Sequence, residues 1–202
     1  MKYTDRHNHS ILEKLEEKAL MEHIPIIRQT ERPILKKALE QAKPNKILEI
    51  GTAWGYSALL MAEWCPWACI DTLELDQDRA EKAREYIKEA GCQDRIRCIA
   101  GDAAQTIPQM QGPYDFLYLD GPKGQYLRHM KAVEPLLSAR AVTAADNVLF
   151  RGWVEGTLQV PRRFRTIAVR MRAYVAYMKE NYETDIYPDG DGMMIAWRKK
   201  TE

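Results

Sequence analysis

Hydrophobic and polar positions follow two rhythms along this chain, and the rhythms take turns. In "SILEKLEEKALMEHI" the apolar residues Leu12, Leu15, Ala19 and Leu20 recur at helical intervals, with Ser10 and Glu13 in capping-box spacing, which predicts a helix opening at Ser10. A second helical segment runs from about Arg32 to Gln41, and Pro44-Asn45 breaks it. Short apolar runs then alternate with amphipathic stretches. "KILEI" (46–50), "CIDTLEL" (69–75), "RIRCIAG" (95–101), "YDFLYLD" (114–120) and "AVTAADN" (141–147) read as strands. Between them, "TAWGYSALLMAEW" reads as a turn into a helix, "DQDRAEKAREYIKEAG" as a helix capped by Asp76 or Asp78 and stopped at Gly91, and "QYLRHMKAVEPLL" as a helix. A longer helix from about Pro161 to Glu180 carries Phe164, Ile167, Ala168, Met171, Tyr174, Val175 and Met178 as one apolar stripe. At the end, "YETDIYP" and "MMIAWRK" flank "DGDG" as an antiparallel hairpin. The pattern predicts an α/β protein with a doubly wound, mainly parallel seven-stranded sheet and a C-terminal antiparallel hairpin at its edge.

Composition narrows the picture. At 202 residues the chain is long enough to bury a core without covalent staples, and the absence of internal repeats or low-complexity linkers makes 1–202 a single domain. Cys65, Cys69, Cys92 and Cys98 show neither CxxC spacing nor a paired zinc pattern, so reduced thiols in a cytoplasmic protein are expected. No apolar run approaches the ~18 residues of a membrane span, and no cleavable leader is evident, which predicts a soluble protein. Charge is balanced overall, 30 Lys and Arg against 29 Asp and Glu, but not locally. Between Arg151 and Arg172 stand six arginines (Arg151, Arg162, Arg163, Arg165, Arg170 and Arg172) and one acid, Glu155.

Ligands of open α/β sheets sit outside the carboxyl ends of the strands, so those ends are read together. Here they are Glu49 to Gly51, Glu74, Gly101 to Ala103, Asp120, and Asp146-Asn147, nearly all acidic. Gly51 and Gly55 in "EIGTAWGYS" do not form GxGxxG, and their spacing suits a smaller adenosyl ligand than a dinucleotide. Glu74, 23 residues past Gly51, is placed to accept from both ribose hydroxyls, and Asp102 to take the adenine amino group. The plainer reading gives the glycines a tight turn and Glu74 a helix N-terminus. Asp120, Asp146 and Asn147 offer three oxygen donors that fit a hard divalent cation such as Mg²⁺, against an Asx turn and a loop cap as the plainer alternative. Lys123 lies beside that set. A hydroxyl on a cation is acidified, and a lysine near the same cation more readily becomes neutral and takes its proton, whereas the plainer reading leaves a solvated lysine in a turn.

With these residues in view, "LEIGTAWGYS", the Glu74 strand end, "GDA", "LDGPKGQY" and "ADNVLF" together resemble the cation-dependent O-methyltransferases of the catechol and caffeoyl-CoA type. The resemblance covers roughly Ile24 to Lys199 and implies a Rossmann-like class I methyltransferase fold using S-adenosylmethionine and Mg²⁺. It makes Asp120, Asp146 and Asn147 the metal ligands and Lys123 the catalytic base. It further implies that Gly51, Tyr56 and Ser57 line the methionine part of the cofactor, Glu74 the ribose, and Asp102 with Ala103 the adenine. Ile27 through its backbone, Glu49 and Asp120 complete the implied cofactor set, and the helices of residues 1–43 cover the site. Gly121-Pro122 stands where the family usually has small residues such as Ala-Ala, and Ala141 where a glycine is common; both bear on turn geometry and neither removes a ligand.

Within the family, "HIPII", "KGQY", "DNVLF" followed by Arg151, "PRRFR" and "PDGDGMMI" resemble most closely the bacterial methyltransferases that act on 5-hydroxyuridine at the tRNA wobble position. A 5-hydroxyuracil, like a catechol, presents two adjacent oxygens to one cation, so the chemistry fits either substrate. Arg151, Arg162, Arg163 and Arg165 are expected to meet phosphates of a tRNA anticodon loop, against the alternative that they only snorkel along the apolar stripe. A single-stranded loop needs no duplex-reading element, and neither DNA nor a membrane is expected as a partner; the family likeness suggests a homodimer, which the spare apolar surface of the terminal helices permits. The competing functions are a small-molecule catechol-type methyltransferase and an RNA-binding module without catalysis. His7, His9, His23 and His129 have no evident partner in the sequence.

Overall fold

The computed structural model describes residues 3–156 and 159–199, so the ends of the expected 1–202 domain lie outside the described residues. In chain order the elements are α1 (Tyr3–Met21), α2 (Arg32–Ala42), β1 (Lys46–Ile50), α3 (Tyr56–Trp64), β2 (Cys69–Glu74), α4 (Gln77–Glu89), β3 (Ile96–Ala100), α5 (Ala103–Thr106), β4 (Tyr114–Leu119), α6 (Tyr126–Val133), β5 (Leu137–Ala145), α7 (Arg165–Asn181), β6 (Tyr182–Tyr187) and β7 (Met193–Arg198). The strands form one seven-stranded sheet in the order β3-β2-β1-β4-β5-β7-β6. The first five are parallel, and β7 runs antiparallel to both β5 and β6. The doubly wound sheet with its antiparallel hairpin is therefore as the alternation predicts.

Side-chain alternation sorts the core into two layers. On β1, Ile47 packs with residues of α1 to α4 on one face, while Leu48 and Ile50 pack with residues of α5 to α7 on the other. The apolar stripe of α7 is core: Ala168, Met171, Tyr174 and Met178 are all fully buried. At the α2 to β1 junction, Lys43 adopts φ 44° and donates its N–H to Leu39 O, and Pro44 prevents the helix from continuing.

Two boundaries differ from expectation. The first helix begins at Tyr3, so Ser10 lies inside it and not at its cap; nothing in the polar stretch before Ser10 breaks a helix. Strand β5 begins at Leu137, four residues before the expected Ala141, because Pro135 closes α6 with a 3-10 turn at Glu134–Leu136. Its first half is largely solvated, which hid it from an apolar-run reading. Asp76, not Asp78, caps α4, accepting from the Arg79 N–H at 3.0 Å. All four cysteines are free, and among the described residues no helix is long and apolar enough to cross a membrane.

One glycine fixes how the sheet presents its ends. Gly51 has φ +108°, and a Cβ there would lie 2.5 Å from the carbonyl oxygen of Asp120. No other residue lets the end of β1 nest against the end of β4 in this way. The close approach foreseen at Gly51 is thus made first by the protein's own backbone.

Candidate active site

The carboxyl ends of β1 to β5 open on one cavity of about 1110 Å³, bordered also by the segment between α1 and α2 through Pro25, Ile26, Arg28 and Glu31. Backbone hydrogen bonds continue past the strands, Asp120 N–H to Ile50 O and Asp146 N–H to Leu119 O, both 2.9 Å, and bring two aspartates to neighbouring strand tips. Tyr126, at the start of α6, donates its hydroxyl between Leu119 O (3.0 Å) and Asp146 O (3.1 Å), pinning the same two tips from below.

At these tips the predicted catalytic set comes together. Lys123, on the turn after β4, places Nζ 2.9 Å from Asp120 Oδ1. Asp146 is 3% exposed, and its Oδ1 accepts from the Asn147 N–H (2.6 Å) and the Asn147 amide (3.3 Å). Asn147 has φ 55°, a conformation its short polar side chain tolerates. Burial, reinforced by the charges of Asp120 and Glu31, pushes the Asp146 carboxyl up to about 8, while Lys123 and the Asn147 N–H pull the other way. Two crowded carboxylates, one cut off from water, constitute a donor set that a hard divalent cation fits, and the oxygen of the Asn147 amide adds a neutral ligand. Among the described residues no group of three or more His, Cys, Asp or Glu side chains is placed to hold a metal ion, so the candidate donor set is limited to these two carboxylates and one amide.

The ends of β2 and β3 form the other half of the cavity. Glu74 accepts from the Ala53 N–H at 2.7 Å and from the Asp76 N–H at 3.0 Å. Asp102 caps α5 by accepting from the Ala104 N–H at 2.9 Å, with Ala103 buried beside it. Both carboxylates line the cavity and retain acceptor capacity toward it, as expected for residues that meet hydroxyl and amino groups.

Four residues of the implied cofactor set sit behind this wall and do not line it. Glu49 is fully buried, accepting from Ser57 Oγ and from Thr72 Oγ1 (2.5 Å), and burial raises its carboxyl to about 7. Tyr56 donates to Glu16 of α1 at 2.7 Å, under the guanidinium of Arg32, which itself pairs with Glu16 at 2.8 Å. Tyr56 therefore docks α1 and α2 onto α3. Ile27 is core.

Residues the sequence reading passed over also reach the cavity. Arg28 pairs with fully buried Glu31 (3.1 Å) and with Asp191 of the hairpin turn (3.3 Å), and a Cβ at Gly190 would lie 2.5 Å from Glu31 Oε1. These contacts clamp the segment before α2 to the β6–β7 turn. They join residues 163 positions apart, and no local pattern signals them. His129 was legible as a lone histidine on the apolar face of α6.

The expected RNA-facing arginines lie along one stretch just past Asn147. Phe150, Trp153 and Phe164 pack together, with Trp153 and Phe164 stacked at 4.9 Å, and tie the loop after β5 to the start of α7. Arg151 lies 5.6 Å over the rings of both Trp153 and Phe164, and Arg163 lies 4.6 Å over Phe164. Arg151, Arg162, Arg163 and Arg165 are exposed, and among the described residues none of their guanidinium groups forms an ion pair with a carboxylate, although the Arg151 N–H donates to Asp191 Oδ1 at 3.3 Å. Arg172 differs: it is half-buried and donates to the carbonyls of Trp153 and Val154.

The departures from the family pattern are absorbed locally. Pro122 leads the 3-10 turn that carries Lys123, a Cβ at Gly121 would come 3.3 Å from Ile50, and Ala141 is an ordinary buried strand residue.

Comparison with known proteins places the geometry. A family model described as O-methyltransferase matches residues 2–199. The catechol O-methyltransferase of Sus scrofa is 31% identical over 164 residues, covering 76% of this chain and 88% of that protein. That of Bos taurus is 31% identical over 154 residues, covering 72% of this chain but only 57% of that longer protein. Among solved structures, the Bacillus cereus O-methyltransferase in complex with SAH superposes with a TM-score of 0.82 at 23% identity, covering 94% of this chain and 91% of that one, a likeness of fold.

Proposed function

The chain belongs to the O-methyltransferase family, and on that premise we propose that it transfers the methyl group of S-adenosylmethionine to a hydroxyl oxygen of a substrate bearing two adjacent oxygens, with 5-hydroxyuridine at the wobble position of tRNA as the substrate. The observation that carries the methyl-transfer chemistry is the convergence of Asp120, Lys123, Asp146 and Asn147 at one end of a cavity whose other end holds Glu74 and Asp102.

When bound, S-adenosylmethionine supplies an electrophilic methyl and a divalent cation acidifies the hydroxyl that attacks it. Asp120, Asp146 and the Asn147 amide oxygen would hold that cation. Lys123, whose Nζ lies 2.9 Å from Asp120 Oδ1, would take the hydroxyl proton in its neutral amine form, having first released its own proton to solvent as the cation takes over the charge of Asp120. Glu74 accepts from the ribose hydroxyls with a carboxylate already fixed by two backbone N–H groups, and Asp102 faces the adenine. The segment through Pro25 and Ile26 borders the cavity and would shield the reacting atoms from water once the ligands are bound.

The RNA substrate is supported by the exposed arginines that begin four residues past Asn147, since four cations without carboxylate partners suit a phosphate backbone. A free catechol is the second reading, favoured by the catechol O-methyltransferases among the relatives. The homodimer belongs to the same proposal, with exposed Leu20 and Met21 of α1 and Val169 of α7 as its candidate contacts. Labelled S-adenosylmethionine and Mg²⁺, given to the protein with hydroxyuridine-containing tRNA or with catechol, each with and without EDTA, test the proposal. EDTA-sensitive label in tRNA is the expected result. Label in catechol alone would move the protein to small-molecule chemistry.

A further inference from the structure

One polar group in the cavity wall has no answer within the protein. His129 sits on the face of α6 that also buries Tyr126, Met130 and Val133, is 4% exposed, and borders the cavity beside Asp102 and Ala103. Its Nδ1 is sealed from solvent and makes no hydrogen bond, which leaves Nε2 as the ring nitrogen open to the cavity. A neutral imidazole carries one N–H and one bare acceptor nitrogen. Orphaned buried N–H groups are rarer than under-satisfied acceptors, so the proton belongs on Nε2 and the bare nitrogen at the sealed position. Burial keeps the ring neutral by lowering its pKa, with Arg128 acting in the same direction and Asp102 against it. The result is a fixed hydrogen-bond donor with nothing to donate to except a ligand.

We propose that His129 is a recognition residue for the adenine of the cofactor, donating from Nε2–H to a ring nitrogen of the base on the side where Asp102 accepts from the exocyclic amino group. The proposal rests on the reading of this cavity as an adenosyl site. A ring acceptor, N1, next to an amino donor is the pattern of adenine; hypoxanthine presents N1–H and a carbonyl there, and meets the pair with both signs reversed. His129 and Asp102 together thus select the base, a task assigned to Asp102 and Ala103 alone from the sequence.

Two measurements on the full chain test this. Calorimetric titration with S-adenosylhomocysteine compares wild type with His129→Phe, which keeps an aromatic ring without a donor, and His129→Gln, which restores an amide donor. The expected result is binding about tenfold weaker in His129→Phe, the order of one buried hydrogen bond, partly recovered in His129→Gln. Nitrogen NMR of ¹⁵N-histidine-labelled wild type, assigned through the signal lost in His129→Phe, should show the Nε2-protonated tautomer and a shift of that N–H when S-adenosylhomocysteine is added. Wild type that binds S-adenosylhomocysteine with an unmoved His129 signal, or with equal affinity in His129→Phe, would overturn the proposal alone. Wild type that does not bind S-adenosylhomocysteine would overturn the adenosyl reading, and the proposal with it.

Discussion

The two ends of the cavity use the same residue type in opposite ways. At the tips of β2 and β3, Glu74 and Asp102 are each tied down by backbone N–H groups. At the tips of β4 and β5, Asp120 and Asp146 are crowded together, and burial with mutual repulsion drives Asp146 far above the ordinary carboxylate range, to about 8. A carboxylate satisfied by the backbone is ready to accept hydrogen bonds from a neutral sugar or base. A carboxylate pushed against another and away from water asks for a cation. On the proposed function, environment and not residue identity divides the cavity into a cofactor half and a metal half.

The largest expected effect falls in the metal half. Lys123→Ala should slow turnover by about 10² to 10⁴, the usual range for a removed general base, while leaving S-adenosylhomocysteine affinity unchanged because the cofactor half is untouched. Single-turnover kinetics beside a binding titration separate the two; a lost cofactor affinity with intact chemistry would erase the boundary between the halves.

Glu49 sharpens the comparison as a third environment, with neither backbone donors nor a cation. Its carboxyl is raised from the ordinary 4.5 to about 7 by burial, so the folded state binds its proton more tightly than the unfolded chain. The stability this contributes is fully present below pH 4.5 and is lost as pH rises through 7. Glu49→Gln removes that dependence. Urea unfolding across this window should show wild type losing roughly 3 kcal/mol relative to the variant, and parallel curves would mean that Glu49 is charged throughout.

The smallest effect is expected at Asp102→Ala, which forfeits a cap worth about 1 kcal/mol and a cofactor contact. Its thermal midpoint should fall slightly and its S-adenosylhomocysteine affinity severalfold. A large loss of Mg²⁺ binding in this variant would contradict its place in the cofactor half.

Much of this division was legible before any coordinates. Strand ends can be read from apolar runs, and acids placed at those ends converge because parallel strands present the same end to one side. That Asp120, Lys123, Asp146, Asn147, Glu74 and Asp102 line one cavity follows from that reading. Tyr56 and Ser57 were implied by the family resemblance alone, and the contact of the Tyr56 hydroxyl with Glu16, beside Arg32, depends on how α1 and α2 pack on α3, which no local pattern carries. The start of β5 was hidden by its solvated first half. The clamp of Arg28, Glu31 and Asp191 was invisible for a simpler reason: it joins distant parts of the chain, and only the folded topology brings them together.

The central claim is that the acids at the tips of β4 and β5, and not those of β2 and β3, bind a divalent cation. Calorimetric titration of Mg²⁺ into EDTA-stripped protein tests it most directly, comparing wild type with Asp146→Asn and Glu74→Gln. The account predicts a single site in wild type, the same affinity in Glu74→Gln, and binding weakened at least tenfold in Asp146→Asn, consistent with the cost of losing a charged ligand. Equal affinity in wild type and Asp146→Asn, or loss of the site in Glu74→Gln alone, would contradict it.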